Sequence, residues 1–534
     1  MTFPHARVEA APPGARDDAR PASLPPEQNF LSQWRWWLPV AAVSLLLALL
    51  FLDPFAGDWD ALDYTVLALQ PEPSSMLLGR MLFIFTNHLL FRAARALFGL
   101  QAEHAYLLFK YFVVAQTPLA VAAFWALARD LTGGARAATA SAVLLALSPY
   151  FVIYSGQAMT EIPSVLLLSL ALLVHLRGLR RRNFWMVVAG AALLGLGVNV
   201  REGLALYGLW LVCAPLASGW RFRAGELLTT AAACAVFFAL ALGPFAYWYL
   251  ADVNGYAAKW HAWVESSRME SARHPVSLEN FRVLLLWFFV ASPLALVALP
   301  AASFAEWRRR GFTPLLALAL VGLFSNLVLI THYSVVINGR YVLTGLPGVL
   351  PLVADYFLRA EFRRTKDDRR AFARVLAGVV SVALLVGYVM YDRAWSRVAG
   401  HAMTGEYRAR LALLPSDAVV MAGGQTVAVS FWRGMGVGGW DWIGTGGGWP
   451  GDEQRLVETI QNYLRQGRRV FLDTDPALWS PHGWQLEETR AVANLETHFR
   501  FRRHSDTLYE IRPADDTAAP DRPELERLLP ENRR

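Results

Sequence analysis

Residues 36–52 read Trp-Trp-Leu-Pro-Val-Ala-Ala-Val-Ser-Leu-Leu-Leu-Ala-Leu-Leu-Phe-Leu, and the chain then turns acidic at Asp58-Trp59-Asp60-Ala61-Leu62-Asp63-Tyr64. The first stretch is long and apolar enough to cross a bilayer as a helix. The second places three carboxylates beside it. Carboxylates next to hydrocarbon are costly unless water, a cation or a substrate satisfies them, so this loop is the first candidate for chemistry. The bland alternative is a solvated loop whose acids only stay wet.

The rest of the chain extends the apolar pattern. It has 534 residues, 55% of them hydrophobic, with 20 Trp, and this composition argues against a soluble protein. We read about eleven transmembrane segments: 36–52, 105–128, 137–153, 161–176, 184–199, 203–217, 227–250, 281–303, 313–332, 341–358 and 372–391. Residues 1–34 are rich in Pro and Ala and lack an apolar core, so they read as a disordered cytoplasmic tail rather than a cleavable signal. The loops at 129–136, 175–183, 218–226, 305–312 and 359–374 are dense in Arg and Lys, including Arg180-Arg181-Arg182 and Arg308-Arg309-Arg310. Those at 53–104, 150–160, 199–203, 251–280 and 331–341 are sparse in them. By the positive-inside rule the first set is cytoplasmic. The N-terminus is then cytoplasmic, and the acidic loop and the C-terminal region share the periplasmic or extracellular side. The net charge of +7 follows from this topology and does not call for nucleic acid. The two cysteines, Cys213 and Cys234, fall inside spans and read as small packing residues.

Within the first outer loop, 53–104, residues 76–100 mix apolar residues with Arg80, Asn87, His88, Arg92 and Arg95. An interfacial amphipathic helix, broken in two, fits that mixture better than a twelfth span. Other polar residues gather at the same membrane face. Thr160-Glu161-Ile162-Pro163 opens the fourth span. Thr160 and Glu161 are either helix caps or part of a second acidic site. Arg201 and Arg340 lie on the side where cations are disfavoured. Each serves an anion or acid partner, or, in the bland alternative, pairs with Glu202 or lipid head groups. Transfer from a lipid-phosphate donor needs such parts: an acid to deprotonate the acceptor and cations to stabilise the leaving phosphate.

Four local patterns carry a family resemblance. They are Trp59-Asp60-Ala61-Leu62-Asp63-Tyr64, Leu97-Phe98-Gly99, Ser148-Pro149 through Thr160-Glu161-Ile162-Pro163, and Arg340-Tyr341-Val342-Leu343 with Leu346-Pro347. In their order, side and spacing, over about residues 35–391, they resemble the GT-C superfamily of membrane glycosyltransferases. The likeness is to bacterial relatives of dolichyl-phosphate-mannose protein mannosyltransferases and of aminoarabinose lipid A transferases. The second acid of the family's first-loop pair is Ala61 here. Asp60 is left as the matching acid, and Asp58 forms an Asp-x-Asp pair with it.

The resemblance implies a polytopic α-helical membrane protein of the cytoplasmic membrane. It implies inverting transfer of a monosaccharide from a polyprenyl-phosphate donor to a hydroxyl acceptor in the cell envelope. Asp60 would be general base with Asp58 in reserve, and Glu161 would position the acceptor or a metal. Arg340 and Arg201 would hold the lipid phosphate, and Tyr64, Tyr341, His332 and Tyr333 would line the cavity. Asp58, Asp60 and Glu161 could take a divalent cation. A transporter or flippase for a lipid-linked saccharide remains an alternative, as does a non-catalytic envelope-assembly homologue.

The C-terminal region, 392–513, reads as a small α/β domain with strands at 418–422, 469–473 and 507–511 and a helix over 452–466. The Gly/Trp-rich stretch 434–451 reads as a packed loop, or as aromatics stacking on sugar. Residues 514–534 read as a disordered tail.

Overall fold

A computed structural model of the chain describes residues 33–52, 59–70, 80–221, 223–258, 260–261, 264–265, 278–332, 339–358, 387, 403–423, 426–443, 453–476, 479, 486–515, 521, 523 and 525–529. The expected span at 372–391 lies outside them, Gly387 excepted.

The first part is a helical bundle. In chain order it contains α1 (Trp34–Leu50), α2 (Trp59–Leu69), α3 (Met81–Phe98), α4 (Ala105–Thr132), α5 (Ala135–Ala146), α6 (Pro149–Ser155), α7 (Glu161–Arg181), α8 (Phe184–Val198), α9 (Trp210–Ala217), α10 (Ala224–Leu250), α11 (Leu278–Ala291), α12 (Pro293–Arg310), α13 (Pro314–His332) and α14 (Leu346–Leu358). Two 3-10 segments, Glu202–Leu209 and Gly339–Thr344, lead into α9 and α14. The core runs through α4, α7 and α8, with Phe109, Phe124, Trp125, Leu168, Leu172 and Leu194 buried between them. Cys213 and Cys234 are free thiols on α9 and α10.

Length and composition make α3, residues 102–132, α7 and α10 able to cross a membrane, and five shorter apolar helices accompany them. The chain is a membrane protein. Two expected spans, 137–153 and 281–303, are each broken instead. α5 and α6 meet at 64°, and α11 and α12 at 106°. Both breaks fall at a Ser-Pro step, with Ser148 (ψ 127°) and Ser292 (ψ 91°) extended and Pro149 and Pro293 opening the next helix. A proline's ring forces the preceding residue out of the helical region but suits a first helical turn, so one step ends one helix and starts another.

The expected break inside 76–100 is absent from the described part, where α3 is a single helix closed by Gly99 at φ +67°. No Pro or Gly interrupts residues 81–98, and side-chain polarity leaves the backbone hydrogen bonds intact. Its inner face buries Phe83, Ile84, Asn87, His88 and Phe91, while Phe85, Leu89, Leu97 and Phe98 are exposed.

The C-terminal region carries α15 (Met403–Leu411), α16 (Thr426–Gly434), α17 (Glu453–Arg465) and α18 (Leu486–Ala493) around one sheet. Its strands are β1 (Val419–Met421), β2 (Asp441–Trp442), β3 (Val470–Asp473), β4 (Arg500–Arg503) and β5 (Leu508–Arg512), in the order β2-β1-β3-β5-β4. β1 pairs in parallel with β2 and β3, and β5 runs antiparallel to β3 and β4. The three expected strands and the helix are all present. Trp440 is buried against Gly438, so this aromatic packs instead of waiting for sugar; residues 444–452 lie outside the described set. The reading of a disordered tail from 514 fails for Leu525–Leu528, a 3-10 turn whose Leu525 and Leu528 are buried. Two leucines on one turn are too short a pattern to register as an element.

The two parts meet through α16, which lies along α2. Phe431 packs edge-on against Tyr106 of α4, with ring centroids 5.5 Å apart. Gly434 sits against Val66, where a Cβ would be 3.1 Å from a valine methyl.

Candidate active site

Five pieces of chain, far apart in sequence, bring their charges to one place: α2, the approach to α3, the start of α7, the turn after α8, and the Gly339–Thr344 segment. Arg340 Nη2 donates to Asp60 Oδ2 at 2.5 Å, and its Nε lies 3.5 Å from Glu161 Oε1. Arg201 Nη1 donates to Glu161 Oε1 at 2.5 Å and to Thr160 Oγ1 at 3.2 Å. The ring of Tyr341 lies against both cations, 4.6 Å from the Arg201 guanidinium and 5.5 Å from that of Arg340. Tyr64 donates to Asp60 Oδ2 at 3.3 Å and accepts from Arg80 Nε at 2.7 Å. Arg80 in turn grips Glu202 with both terminal nitrogens.

Local structure explains how these side chains are aimed. Arg201 is extended, at φ −153° and ψ 118°, and Glu202 opens a 3-10 turn, so the two neighbours do not share a partner. The bland pairing of Arg201 with Glu202 is therefore replaced: Glu202 takes Arg80, and Arg201 is left for Glu161. Thr160 precedes α7 but makes no side-chain cap, because its hydroxyl serves Arg201. The turn itself is held at three points. Asn199 Nδ2 donates to Leu240 O at 2.7 Å, Leu82 N donates to Asn199 O at 2.9 Å, and Tyr207 Oη donates to Thr344 O at 2.7 Å. Gly339 lets the backbone pass Tyr150 and Trp287. A Cβ there would overlap the phenol and come within 2.8 Å of the indole, so glycine sets the approach that delivers Arg340.

Exposure separates the members. Glu161 and Arg201 have side-chain exposures of 0% and 1%, and Arg340 has 7%, whereas Asp60 retains 38%. Burial acts to raise the Asp60 carboxyl, but the nearby Arg340 and Arg80 outweigh it and hold the group below the usual carboxylate range. Within the cluster, Arg201 Nε and Nη2 and Glu161 Oε2 are buried without a hydrogen-bond partner, as are neutral groups elsewhere among the described residues, such as Trp210 Nε1 and both His175 ring nitrogens. What sets the Arg201 donors apart is their charge, since a buried guanidinium nitrogen left unpaired costs more than a neutral donor and suits an anionic partner.

The structure thus gathers Asp60, Tyr64, Glu161, Arg201, Arg340 and Tyr341 from the sequence-derived set. Asp58, Tyr333 and the His332 side chain lie outside the described residues. Arg80 and Glu202 are members that sequence reasoning missed as a pair; 122 positions separate them, and only the buried charge of Arg80 beside an apolar helix pointed to them. Of the three acids that the resemblance offers to a divalent cation, Asp58 lies outside the described residues. Asp60 and Glu161 are committed to arginines, and no group of three His, Cys, Asp or Glu that could hold a metal occurs among the described residues.

The family model for dolichyl-phosphate-mannose-protein mannosyltransferase matches residues 87–248, which include Glu161 and Arg201. Among solved structures, ArnT from Cupriavidus metallidurans bound to undecaprenyl phosphate aligns with a TM-score of 0.56 at 14% identity. The match covers 91% of this chain and 100% of that one. The oligosaccharyltransferase AglB from Archaeoglobus fulgidus, in complex with an inhibitory peptide and a dolichol-phosphate, aligns with a TM-score of 0.55 at 14% identity, covering 94% and 78%. The chain has the GT-C fold. No curated protein matches the chain significantly in sequence. On the GT-C fold the charged cluster is built from the starts of helices and the turns between them, at one end of the bundle.

Proposed function

We propose that the chain is an inverting glycosyltransferase of the cytoplasmic membrane. In this reading it moves a monosaccharide from a polyprenyl-phosphate donor to a hydroxyl acceptor at the outer face. The observation that carries the proposal is the pair of unused, buried Arg201 donors beside Arg340. Such donors suit a phosphate, which accepts several hydrogen bonds and brings the negative charge they lack. The two solved GT-C structures hold undecaprenyl phosphate and dolichol-phosphate, and that supports a lipid phosphate here.

In the reaction, Arg201 and Arg340 hold the donor phosphate and stabilise it as it leaves with the bonding electrons. Glu161 keeps both guanidinium groups in place, and Tyr341 walls them off. Asp60, the most open of the paired acids, faces the sugar from α2. The loss of a second acid at Ala61 argues only weakly for a degenerate protein. Position 61 is fully buried in the packing of α2, so a side chain there does not look onto the open side.

The test uses the full chain in nanodiscs with a panel of radiolabelled polyprenyl-phosphate monosaccharides, and a membrane extract of the expression host as acceptor source. We expect release of polyprenyl phosphate by wild type and its loss in Asp60→Asn. Equal release by both would remove Asp60 from the reaction. Absence of release from every donor would overturn the glycosyltransferase reading.

A further inference from the structure

α2 carries a second carboxylate, Asp63, one turn beyond Asp60 and half-buried. Residues 60, 63 and 66 follow one another along one side of the helix. Asp60 ends on Arg340, and Val66 lies against Gly434 of α16. Asp63 therefore stands on α2 between the residue that meets the arginine cluster and the residue that meets the C-terminal region.

The other acids of the cluster are spoken for. Asp60 accepts from Arg340 and Tyr64, Glu161 from Arg201, and Glu202 from Arg80. A carboxylate neutralised by a guanidinium has little tendency to take a proton. Asp63 forms no hydrogen bond or ion pair among the described residues. The charged groups on the helices packed against α2 are engaged elsewhere. On the α3 side, Arg80 holds Glu202, His88 Nδ1 lies 2.9 Å from Ala68 O, and Arg92 and Arg95 are exposed. On α4, Lys110 sits 4.6 Å from the Tyr106 ring, and on α16, Arg433 pairs with Asp441. Burial first, and then the charge of Asp60, push the Asp63 carboxyl up to about 7. A base works best when its pKa lies near the working pH.

We propose that Asp63 is the general base of the transfer, with Asp60 kept as an arginine-bound anion facing the donor. The inference rests on the glycosyltransferase reading above and moves the proton-accepting role one turn along α2. The acceptor oxygen bonds to the anomeric carbon as the bond from that carbon to the phosphate oxygen breaks. The electron pair leaves on polyprenyl phosphate beside Arg201 and Arg340, and the acceptor's proton ends on an Asp63 carboxylate oxygen.

The same nanodisc assay separates this from the wider reading. Asp63→Asn should lower kcat by about 100-fold or more with the donor KM little changed, and Asp63→Glu should keep part of the rate. The wild-type rate should rise with pH through about 7, as Asp63 loses its proton, and that limb should vanish in Asp63→Asn. Sodium azide attacks carbon without a proton to lose, so it should restore release in Asp63→Ala, giving a glycosyl azide of inverted configuration, and should fail to restore Asp60→Ala. Wild-type release by Asp63→Asn, or azide rescue of Asp60→Ala alone, would overturn the assignment while leaving the glycosyltransferase reading standing. If wild type releases nothing from any donor, both fall together.

Discussion

Two buried clusters of acids and arginines, one in the helical bundle and one in the C-terminal sheet, look alike in composition and differ in completeness. At the end of β3, Asp473 is fully buried and accepts from Arg410 at 3.2 Å and from the Asp475 backbone N–H at 3.1 Å. Arg410 reaches Asp475 with its other nitrogen at 3.0 Å. Every charged side chain of that cluster has a partner, the neutral Tyr407 hydroxyl beside Asp473 being its one buried group without one among the described residues, and the cluster fixes the loop after the strand. In the bundle, Glu161 and Arg201 are equally buried, yet two nitrogens and one oxygen there have no partner. A closed ion-pair network holds chain segments in place. An open one keeps desolvated charge ready for a ligand, at a cost to stability.

The sharpest way to break the contrast is to remove Arg201. Arg201→Ala leaves Glu161 buried opposite only a long contact to Arg340, and breaking such a pair destabilises by about 3–5 kcal/mol. Loss of a donor aimed at the leaving phosphate should also cost about 10²–10³-fold in kcat. Thermal unfolding and polyprenyl phosphate release, measured on the same nanodisc preparation, check both. Arg201→Lys should recover much of the stability and little of the rate, because an ammonium cannot present the guanidinium's fixed fork.

A smaller effect is expected from Arg410→Ala. It removes two charge-assisted hydrogen bonds from a partly exposed arginine and should cost about 1.5–3 kcal/mol. The release rate at a temperature where the variant is folded should stay at the wild-type value. A proportional loss of kcat would mean that the sheet cluster shares the chemistry, and the distinction between closed and open networks would be wrong.

The two clusters were also unequally legible in the sequence. Asp60, Glu161, Arg201 and Arg340 stood out because a charge next to an apolar run is conspicuous whatever it touches. Their pairing did not, since Arg340 and Asp60 lie 280 positions apart. Adjacency offers Glu202 only as the bland alternative partner of Arg201, and the extended backbone at Arg201 sends the two apart. Hydropathy marks the apolar helices, of which four among the described residues are long enough to cross a membrane, or six if each bent pair is one span, but it does not mark the breaks at Ser148-Pro149 and Ser292-Pro293, because a window averages over about 19 residues. In the sheet, β1, β3 and β5 were visible as buried apolar runs. β2 has two residues, and β4, Arg500–Arg503, points one residue inward, so neither shows a usable alternation. Asp63 sat in plain view within the acidic loop. What distinguishes it is its lack of a cation, a fact about neighbours that a linear pattern does not contain.

The smallest perturbation acts on the contact between the two regions. Gly434 ends α16 against Val66, and the site side of α2 runs from Val66 through Asp63 to Asp60. A Cβ at 434 would lie 3.1 and 3.2 Å from the two valine methyls, closer than ordinary contact but against the tip of a side chain. Gly434→Ala should therefore cost about 1 kcal/mol or less, because Val66 can yield by a few tenths of an ångström, whereas Gly434→Leu forces α16 away and should cost about 1–3 kcal/mol. If α16 holds α2 in register with the arginines, kcat should fall in that order, a few-fold and then further, with the donor KM little changed. If α16 only rests on α2, both variants should turn over at the wild-type rate while their unfolding temperatures drop. The split between rate and stability decides whether the closed, sheet-bearing region steadies the open site or merely sits beside it.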